Sequence, residues 1–294
     1  MAETADLIIT NGRVITFDAT RPRAEAVAIR GARIAAVGTA GQVAGLRGPE
    51  TEVIDAGGAT VLPGFVESHV HLFGGSAELD ALNLAGVRGE ARLTELARAR
   101  AAERPGDRLV YAVCADYPIL GEGHRITRHD LDRVLPDRPF AMMAADHHTV
   151  WANTAALEAA GILGGGAAPG GEIVMGEDGR ATGELFEAGA FGHVTKLTAH
   201  GGRELLGYVT GEDPDPAPGP AERAQDRDVI AEGLAYAASL GITTLHNMDG
   251  NRYQLELLSE LDAEGRLAAR VQVPFHLKPW HGLDRLEEAA AWAR

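Results

Sequence analysis

The hydrophobic rhythm of the chain changes near residue 60. Before that point, short β-type runs follow one another across turns such as Asn11-Gly12 and Gly57-Gly58. From Val61 onward, strand-like runs alternate with helix-like runs, which is typical of βαβ units. The change predicts an α/β protein in which residues 1–60 form a small N-terminal β-sandwich part and residues 61–294 form a parallel sheet or barrel.

Within residues 61–294 the pattern predicts fewer strands than a closed barrel requires. We predict helices over residues 90–103, 154–160, 228–240, 255–262 and 286–293, and an irregular surface loop over the proline-rich residues 211–228. A hairpin is expected to turn at Asp178-Gly179. The predicted strands end near His71, Cys114, Ala145, His246 and His276.

Composition excludes several classes of protein. The chain has 27 Lys and Arg against 42 Asp and Glu, a formal net charge of −15, so we expect no nucleic-acid partner. A single cysteine cannot form an internal disulfide. The acidic start Met-Ala-Glu does not resemble a signal peptide, and no apolar run approaches the roughly 20 residues of a membrane span. We therefore predict a cytoplasmic protein without a membrane partner.

The sharpest chemical signal is a pair of histidines at the end of the first predicted strand. His69 and His71 are separated by one residue, so in a strand both side chains point to the same side. Two neutral imidazoles in this arrangement suit a divalent metal ion, with distances of about 2.0–2.1 Å to zinc. The alternative is a polar strand end without a metal. We predict that His69 and His71 bind one or two divalent ions, with zinc favoured.

The run Leu62-Pro63-Gly64-Phe65-Val66-Glu67-Ser68-His69-Val70-His71 resembles the first barrel strand of the amidohydrolase superfamily. Residues 6–14 and 52–58 are similar to the opening of its N-terminal sandwich. Residues 146–157, 170–173, 178–187 and 241–246 resemble the amidohydrolase-3 branch, which includes the N-substituted formamide deformylases. The resemblance covers nearly the whole chain but only the N-terminal part of such a protein. Glu67 is a departure, because the family usually has Asp two residues before the first ligand.

The resemblance implies a (β/α)8, TIM-like metal-dependent hydrolase barrel, apparently incomplete here, with a small N-terminal β-sandwich domain. It implies metal-activated water that hydrolyses a non-peptide, amide-type C–N bond of a small-molecule substrate. His148 and Glu187 match positions of the branch, and we expect them to contact the substrate. Their alternatives are a loop cap and a favourable helix start.

Three alternatives stay open: deamination, opening of a cyclic amide, and a catalytically silent chain that lacks the later metal ligands. In the family, a bridging lysine or acid, two later histidines and an Asp complete the site. Lys196 and Lys278 are the only lysines, and neither has the context of the bridging residue. His246 and His276 are possible ligands on geometry alone, and Cys114 lacks an activating partner. We expect activity to require the missing C-terminal half, from a longer chain or a partner chain, and leave homo-oligomerisation open.

Overall fold

The computed structural model describes residues 4–279 and 281–293. It divides into two compact units, Met1–Phe65 and Val66–Arg294. No helix of the described residues combines the length and the apolar character needed to cross a membrane.

The first unit contains two small sheets. Its four-stranded sheet has the order β5-β4-β1-β6, in which only the β1–β6 pair is parallel, and its three-stranded sheet has the order β3-β2-β7. A small apolar core includes Ile8, Ala28 and Val43. The elements are β1 (Ala5–Thr10), β2 (Arg13–Ile15), β3 (Arg23–Ala24), β4 (Ala26–Arg30), β5 (Arg33–Gly38), α1 (Ala40–Ala44), β6 (Arg47–Asp55) and β7 (Thr60–Val61).

The second unit is a mixed α/β structure. The elements up to the hairpin are β8 (Phe65–Val70), α2 (Leu72–Glu78), β9 (Leu82–Asn83), α3 (Glu90–Glu103), β10 (Val110–Ala115), α4 (Arg128–Val134), β11 (Phe140–Ala144), β12 (Thr149–Ala152), α5 (Thr154–Ala159), β13 (Glu172–Met175) and β14 (Ala181–Phe186). The later elements are α6 (Glu187–Thr195), α7 (Arg203–Val209), α8 (Pro220–Ser239), β15 (Ile242–Asn247), α9 (Arg252–Ala263), β16 (Arg270–Gln272) and α10 (Leu286–Trp292).

These strands form two open sheets, with the orders β13-β14-β12-β11-β10-β9 and β16-β15-β8. Strands β9, β10 and β11 are parallel, as are β15 and β16, whereas β12, β13 and β14 join by antiparallel pairing. Over residues 4–279 and 281–293, neither sheet closes into a barrel. The predicted α/β class is therefore confirmed, and a closed barrel is not observed.

β11 shows how the larger sheet is buried. Phe140, Met142 and Ala144 face a core that includes residues of α3 and α4. Ala141 and Met143 face the opposite core, which includes residues of α5 and α6. Because side chains alternate along a strand, β11 is apolar on both faces, as expected for a strand covered by helices on both sides.

A third core surrounds β15 and is formed largely by α2, α8 and α9. It includes Phe73, Leu234, Leu245 and Leu257. Gly233 of α8 lies directly against Ser76 of α2, so a side chain at this position would force the two helices apart. This contact fixes α2, the helix that begins immediately after His71.

The strand predicted over residues 61–71 is interrupted. Residues 60–61 form β7, which pairs with β2 in the first unit, and β8 begins only at Phe65. Pro63 lies between them, and a proline cannot donate a ladder hydrogen bond. β8 ends at Val70, so His71 lies one residue beyond the strand and precedes the first turn of α2.

The predicted loop over residues 211–228 is wrong in its second half. α8 begins at Pro220, and the Glu222 carboxylate accepts a hydrogen bond from the Gly219 amide at 2.8 Å. Proline is favourable at the first helical position, because its missing N–H has no partner there in any case. The remaining predicted helices are present within a few residues, and the hairpin turns at Asp178-Gly179 as predicted.

A buried carboxylate joins α7, α8 and α9. Asp226 is fully buried and accepts hydrogen bonds from His200 Nδ1 (2.9 Å), Tyr253 Oη (2.8 Å), and Arg203 Nε (2.6 Å) and Nη2 (2.9 Å). Burial alone would raise the pKa of Asp226, but these hydrogen bonds outweigh it and lower the pKa below the ordinary value. The network ties α7 to α8 and α9, whose apolar faces pack in a common core.

Asp130 gives a direct test of how α4 is held. Burial would raise its pKa, but hydrogen bonds from Arg133 and Thr127 lower it to about 2 from 3.8. We therefore expect Asp130→Asn to reduce the free energy of unfolding at neutral pH by roughly 2 kcal/mol. The loss should disappear as the pH falls from about 4 to about 2, because the wild-type carboxyl then becomes protonated.

Urea unfolding of both proteins at several pH values measures this difference. Asp137→Asn, at an exposed aspartate near the end of the same helix, is the matched control and should unfold like the wild type. An equal loss at pH 2 and pH 7 would show that the charge of Asp130 is not responsible.

Candidate metal centre

The two histidines of the sequence motif lie close together. The ring centroids of His69 and His71 are 5.5 Å apart, and the ring planes are inclined by 81°. Two imidazoles that share one zinc ion at about 2.0–2.1 Å have centroids about 5 Å apart in tetrahedral geometry. The distance between the two rings is therefore compatible with two ligands of one metal ion. Metal binding by these residues stays a prediction.

The ring of His71 is held on two sides. His71 Nδ1 donates a hydrogen bond to Asp249 Oδ1 at 2.6 Å, and the Asp249 side chain is fully buried. The ring of Tyr208 lies 4.9 Å from the ring of His71, centroid to centroid. Burial, followed by the charges of Asp249 and Glu78, raises the pKa of Tyr208 well above its ordinary value. The phenol is consequently neutral at physiological pH, beside an imidazole whose side chain is 44% exposed.

The backbone on either side of His71 is fixed by the turn that follows β15. The Met248 amide donates to the Val70 carbonyl at 2.7 Å, and the Leu72 amide donates to Asn247 Oδ1 at 2.9 Å. Together with the Asp249 contact, the last residue of β15 and the two residues after it each bind one of three consecutive residues around His71. In the sequence, polar residues at 247 and 249 follow His246. They are the signal that could have indicated these contacts, but the sequence analysis singled out His246 alone.

The other residues considered as ligands are His276, Lys278 and His246, and each has contacts of its own. His276 Nε2 donates to the Met248 carbonyl at 2.7 Å, and burial, with smaller effects of Lys278 and His71, lowers the pKa of His276. It lies beyond the end of β16, which is shorter than predicted. Lys278 Nζ donates to the Tyr208 carbonyl at 2.7 Å. His246 lies on β15 opposite Gln272.

A complete metal site is not present in the described part of the chain. Within residues 4–279 and 281–293, no group of three or more His, Cys, Asp or Glu side chains could hold a metal ion. Glu67 is engaged locally, because its Oε1 accepts the His69 amide at 3.1 Å. Lys196 is exposed at the end of α6. The histidine pair thus fits the chemistry of a metal ion but would provide only part of the ligands that such an ion requires.

His148 and Glu187, predicted separately, form a pair. His148 Nδ1 donates to Glu187 Oε1 at 3.1 Å, and the two side chains are 67% and 52% exposed. They meet because β12 and β14 are antiparallel neighbours, so the residue before one strand lies beside the residue after the other. Contact of this pair with substrate stays a prediction.

The contact between His147 and Glu78 was not foreseen. His147 has a φ of 62°, which favours glycine, and its Nδ1 lies 3.3 Å from Glu78 Oε1 at the end of α2. The hydrogen bond to Glu78 raises the pKa of His147. Cys114 is half-buried nearby, and burial followed by the Glu78 charge raises its pKa, so the side chain remains a thiol.

The Glu78–His147 contact predicts a pH-dependent stability. Because the pKa of His147 is raised in the folded state, its contribution is fully present below the ordinary histidine pKa of about 6.5 and is lost as the pH rises through the folded value. Glu78→Gln should therefore lower Tm more at acidic pH than at alkaline pH. Glu103→Gln, which removes an exposed carboxylate bound to Arg100, is the control without a histidine. A Tm difference for Glu78→Gln that is constant with pH would contradict the assignment.

Comparison with known proteins places the chain in a family. Residues 52–294 match the sequence profile Amidohydro_3, described as the amidohydrolase family. The chain is 31% identical to the N-substituted formamide deformylase of Arthrobacter pascens over 289 residues, which are 97% of this chain and 49% of that protein. It is 36% identical to the putative amidohydrolase YtcJ of Bacillus subtilis over 149 residues, 47% of this chain and 26% of that protein.

Solved structures agree at the level of the fold. An uncharacterized metal-dependent hydrolase from Pyrococcus horikoshii superposes with a TM-score of 0.62 at 21% identity, over 96% of this chain and 50% of that one. A second, from Pyrococcus furiosus, gives a TM-score of 0.59 at 23% identity over 96% and 52%. The chain thus spans about half the length of those relatives that it matches over nearly its whole sequence. With 52–294 matched, the chain belongs to the amidohydrolase family, as the motif ending in His69 and His71 predicts.

Proposed function

We propose that this chain takes part in the metal-dependent hydrolysis of amide-type, non-peptide C–N bonds. The observation that carries the proposal is the His69–His71 pair, with ring centroids 5.5 Å apart in a member of the amidohydrolase family. A divalent ion supplies a water nucleophile at neutral pH by lowering the pKa of water. In the proposal, His69 and His71 hold that ion and zinc is the favoured metal.

N-substituted formamides are the substrate class to test first, because the relative from Arthrobacter pascens is named as a deformylase of such compounds. Their hydrolysis consumes one water and gives an amine and formate. His148 and Glu187 are the proposed substrate contacts. Glu187 accepts the Nδ1 proton of His148, so Nε2 of this exposed imidazole is available to a substrate group.

We further propose that the remaining metal ligands come from polypeptide beyond the described residues, either covalently continuous or from a partner chain. The support is the incomplete donor set, the half-length match and the exposure of β8. Phe65 and Val66 of β8 are 51% and 61% exposed, and within residues 4–279 and 281–293 β8 has a strand neighbour only on the β15 side. Parallel strands of α/β proteins are normally covered on both faces.

Zinc binding and turnover test the proposal separately. Residues 1–294 should bind zinc, and His69→Ala or His71→Ala should abolish binding in equilibrium dialysis followed by metal analysis. His129→Ala, at an exposed histidine of α4, is the matched control and should bind zinc like the wild type. Unchanged zinc binding after both substitutions in the motif would reject the assigned ligands.

For turnover, release of amine and formate from an N-substituted formamide is measured with and without the C-terminal half of a related deformylase. We expect little hydrolysis by the chain alone and a gain when the second half is supplied. Full activity of the chain alone would reject the need for further ligands. Release of ammonia from amino-heterocycles in place of formate would favour deamination.

A further inference from the structure

The buried carboxylate next to His71 has an unusual set of contacts. Asp249 Oδ1 accepts a hydrogen bond from the Nδ1–H of His71 at 2.6 Å, whereas the buried Oδ2 has no hydrogen-bond partner in the part of the chain that the structure describes. A carboxylate fully removed from solvent is expensive unless its charge is used by a neighbour. Among the described side chains, the one that pairs with it is His71, one of the two predicted metal ligands.

Asp249 is also prevented from turning away. Its backbone carbonyl accepts the Asn247 side-chain amide at 2.9 Å, and the same amide contacts Gln254 Oε1 at 3.2 Å. Gly207 of α7 lies against it, so closely that a side-chain carbon at Gly207 would be 2.8 Å from the Asp249 Cβ. The Gly250 amide donates to the Gly207 carbonyl at 3.0 Å, which holds α7 in this position. The carboxylate therefore has one rigid direction, toward His71.

We propose that Asp249 is a positioning residue that holds His71 as the Nδ1–H tautomer and leaves Nε2 as the metal-binding atom. The proposal rests on the proposed function, because it assumes that His71 is a ligand. A carboxylate can only accept, so a neutral imidazole bound to it through Nδ1 carries its proton there. The lone pair then lies on Nε2, and ligand histidines are commonly oriented by a carboxylate in this way.

The two histidines of the motif differ in this respect. His69 has no side-chain hydrogen bond among residues 4–279 and 281–293, whereas His71 is bound by Asp249 and flanked by Tyr208. His71 is thus oriented before a metal arrives, and His69 is free to adjust. Orientation in advance reduces the entropy that metal binding must overcome. Loss of the carboxylate should therefore weaken binding through His71 specifically.

The tautomer is read directly by 15N NMR of histidine-labelled, metal-free protein, with His71→Gln used to assign the signal. At a pH well above the ordinary histidine pKa of about 6.5, wild-type His71 should be the Nδ1–H form. Asp249→Ala should convert it to the Nε2–H form that imidazole side chains favour in water. Asp249→Asn retains an acceptor oxygen and should retain the Nδ1–H form.

Zinc affinity is the second readout. Asp249→Ala should weaken zinc binding about 10- to 100-fold, in line with the loss of other such partners, and Asp249→Asn should weaken it less. Glu78→Gln removes the carboxylate of a different histidine and should change neither the His71 signal nor the affinity. If Asp249→Ala does not fold, the isosteric Asp249→Asn variant still tests the proposal. For this variant we expect His71 to keep the Nδ1–H form and the zinc affinity to be reduced.

The outcomes separate this inference from the proposed function. An Nε2–H form of His71 in the wild type, or wild-type zinc affinity in both Asp249 variants, would overturn the positioning role. A wild-type chain with the Nδ1–H form but without zinc binding would instead reject the metal function, and with it the ligand role assigned to Nε2.

Discussion

The arrangement of the candidate metal centre depends on one short turn. Residues 247–249, which comprise the last residue of β15 and the two that follow it, bind the backbone on both sides of His71 and also its ring. Each buried hydrogen bond contributes only about 1 kcal/mol net, but leaving its donor or acceptor unpaired would cost more. The three bonds therefore make the end of β8 and the end of β15 a single unit. α2 and α9, which begin next to these ends, pack in the same core.

This local order contrasts with the open sheets around it. The larger sheet buries β11 on both faces, whereas β8 leaves apolar side chains in solvent and, among the residues that the structure describes, has β15 as its one strand neighbour. An exposed edge of a parallel sheet offers unpaired backbone groups to any other strand. The matched relatives are about twice as long as this chain, and the strands that are buried here on both faces are those whose partners lie within it.

The sequence predicted those features that depend on neighbours along the chain. The alternation of strands and helices, the hairpin at Asp178-Gly179 and the proximity of His69 to His71 follow from local periodicity and turn chemistry. β9 and β12 were missed because runs of two and four residues carry too little periodicity to distinguish a strand from a loop. The start of α8 was not predicted, because proline is unfavourable inside a helix. Pro220 occupies the first helical position, where proline is favourable.

The contacts of Asp249, Tyr208 and Glu78 could not be predicted in this way. Each meets its histidine across a large separation in sequence, so its role depends on how β15, α7 and α2 pack together. His147 illustrates the same limit, since neither its left-handed backbone nor its distant carboxylate is encoded by the residues beside it. Long-range pairing of polar groups is set by the tertiary structure, and periodicity contains no information about it.

The network around Asp226 restricts how this sequence can change. Four hydrogen bonds from three side chains converge on one carboxylate that has no contact with water. Replacing any single member leaves a buried charge or polar group without its partner, although an apolar set of similar volume would be acceptable as a whole. Positions 200, 203, 226 and 253 should therefore evolve as a block. A laboratory search by single substitutions would find that these positions tolerate little change. Folded alternatives should be recovered only from libraries that vary the four positions together.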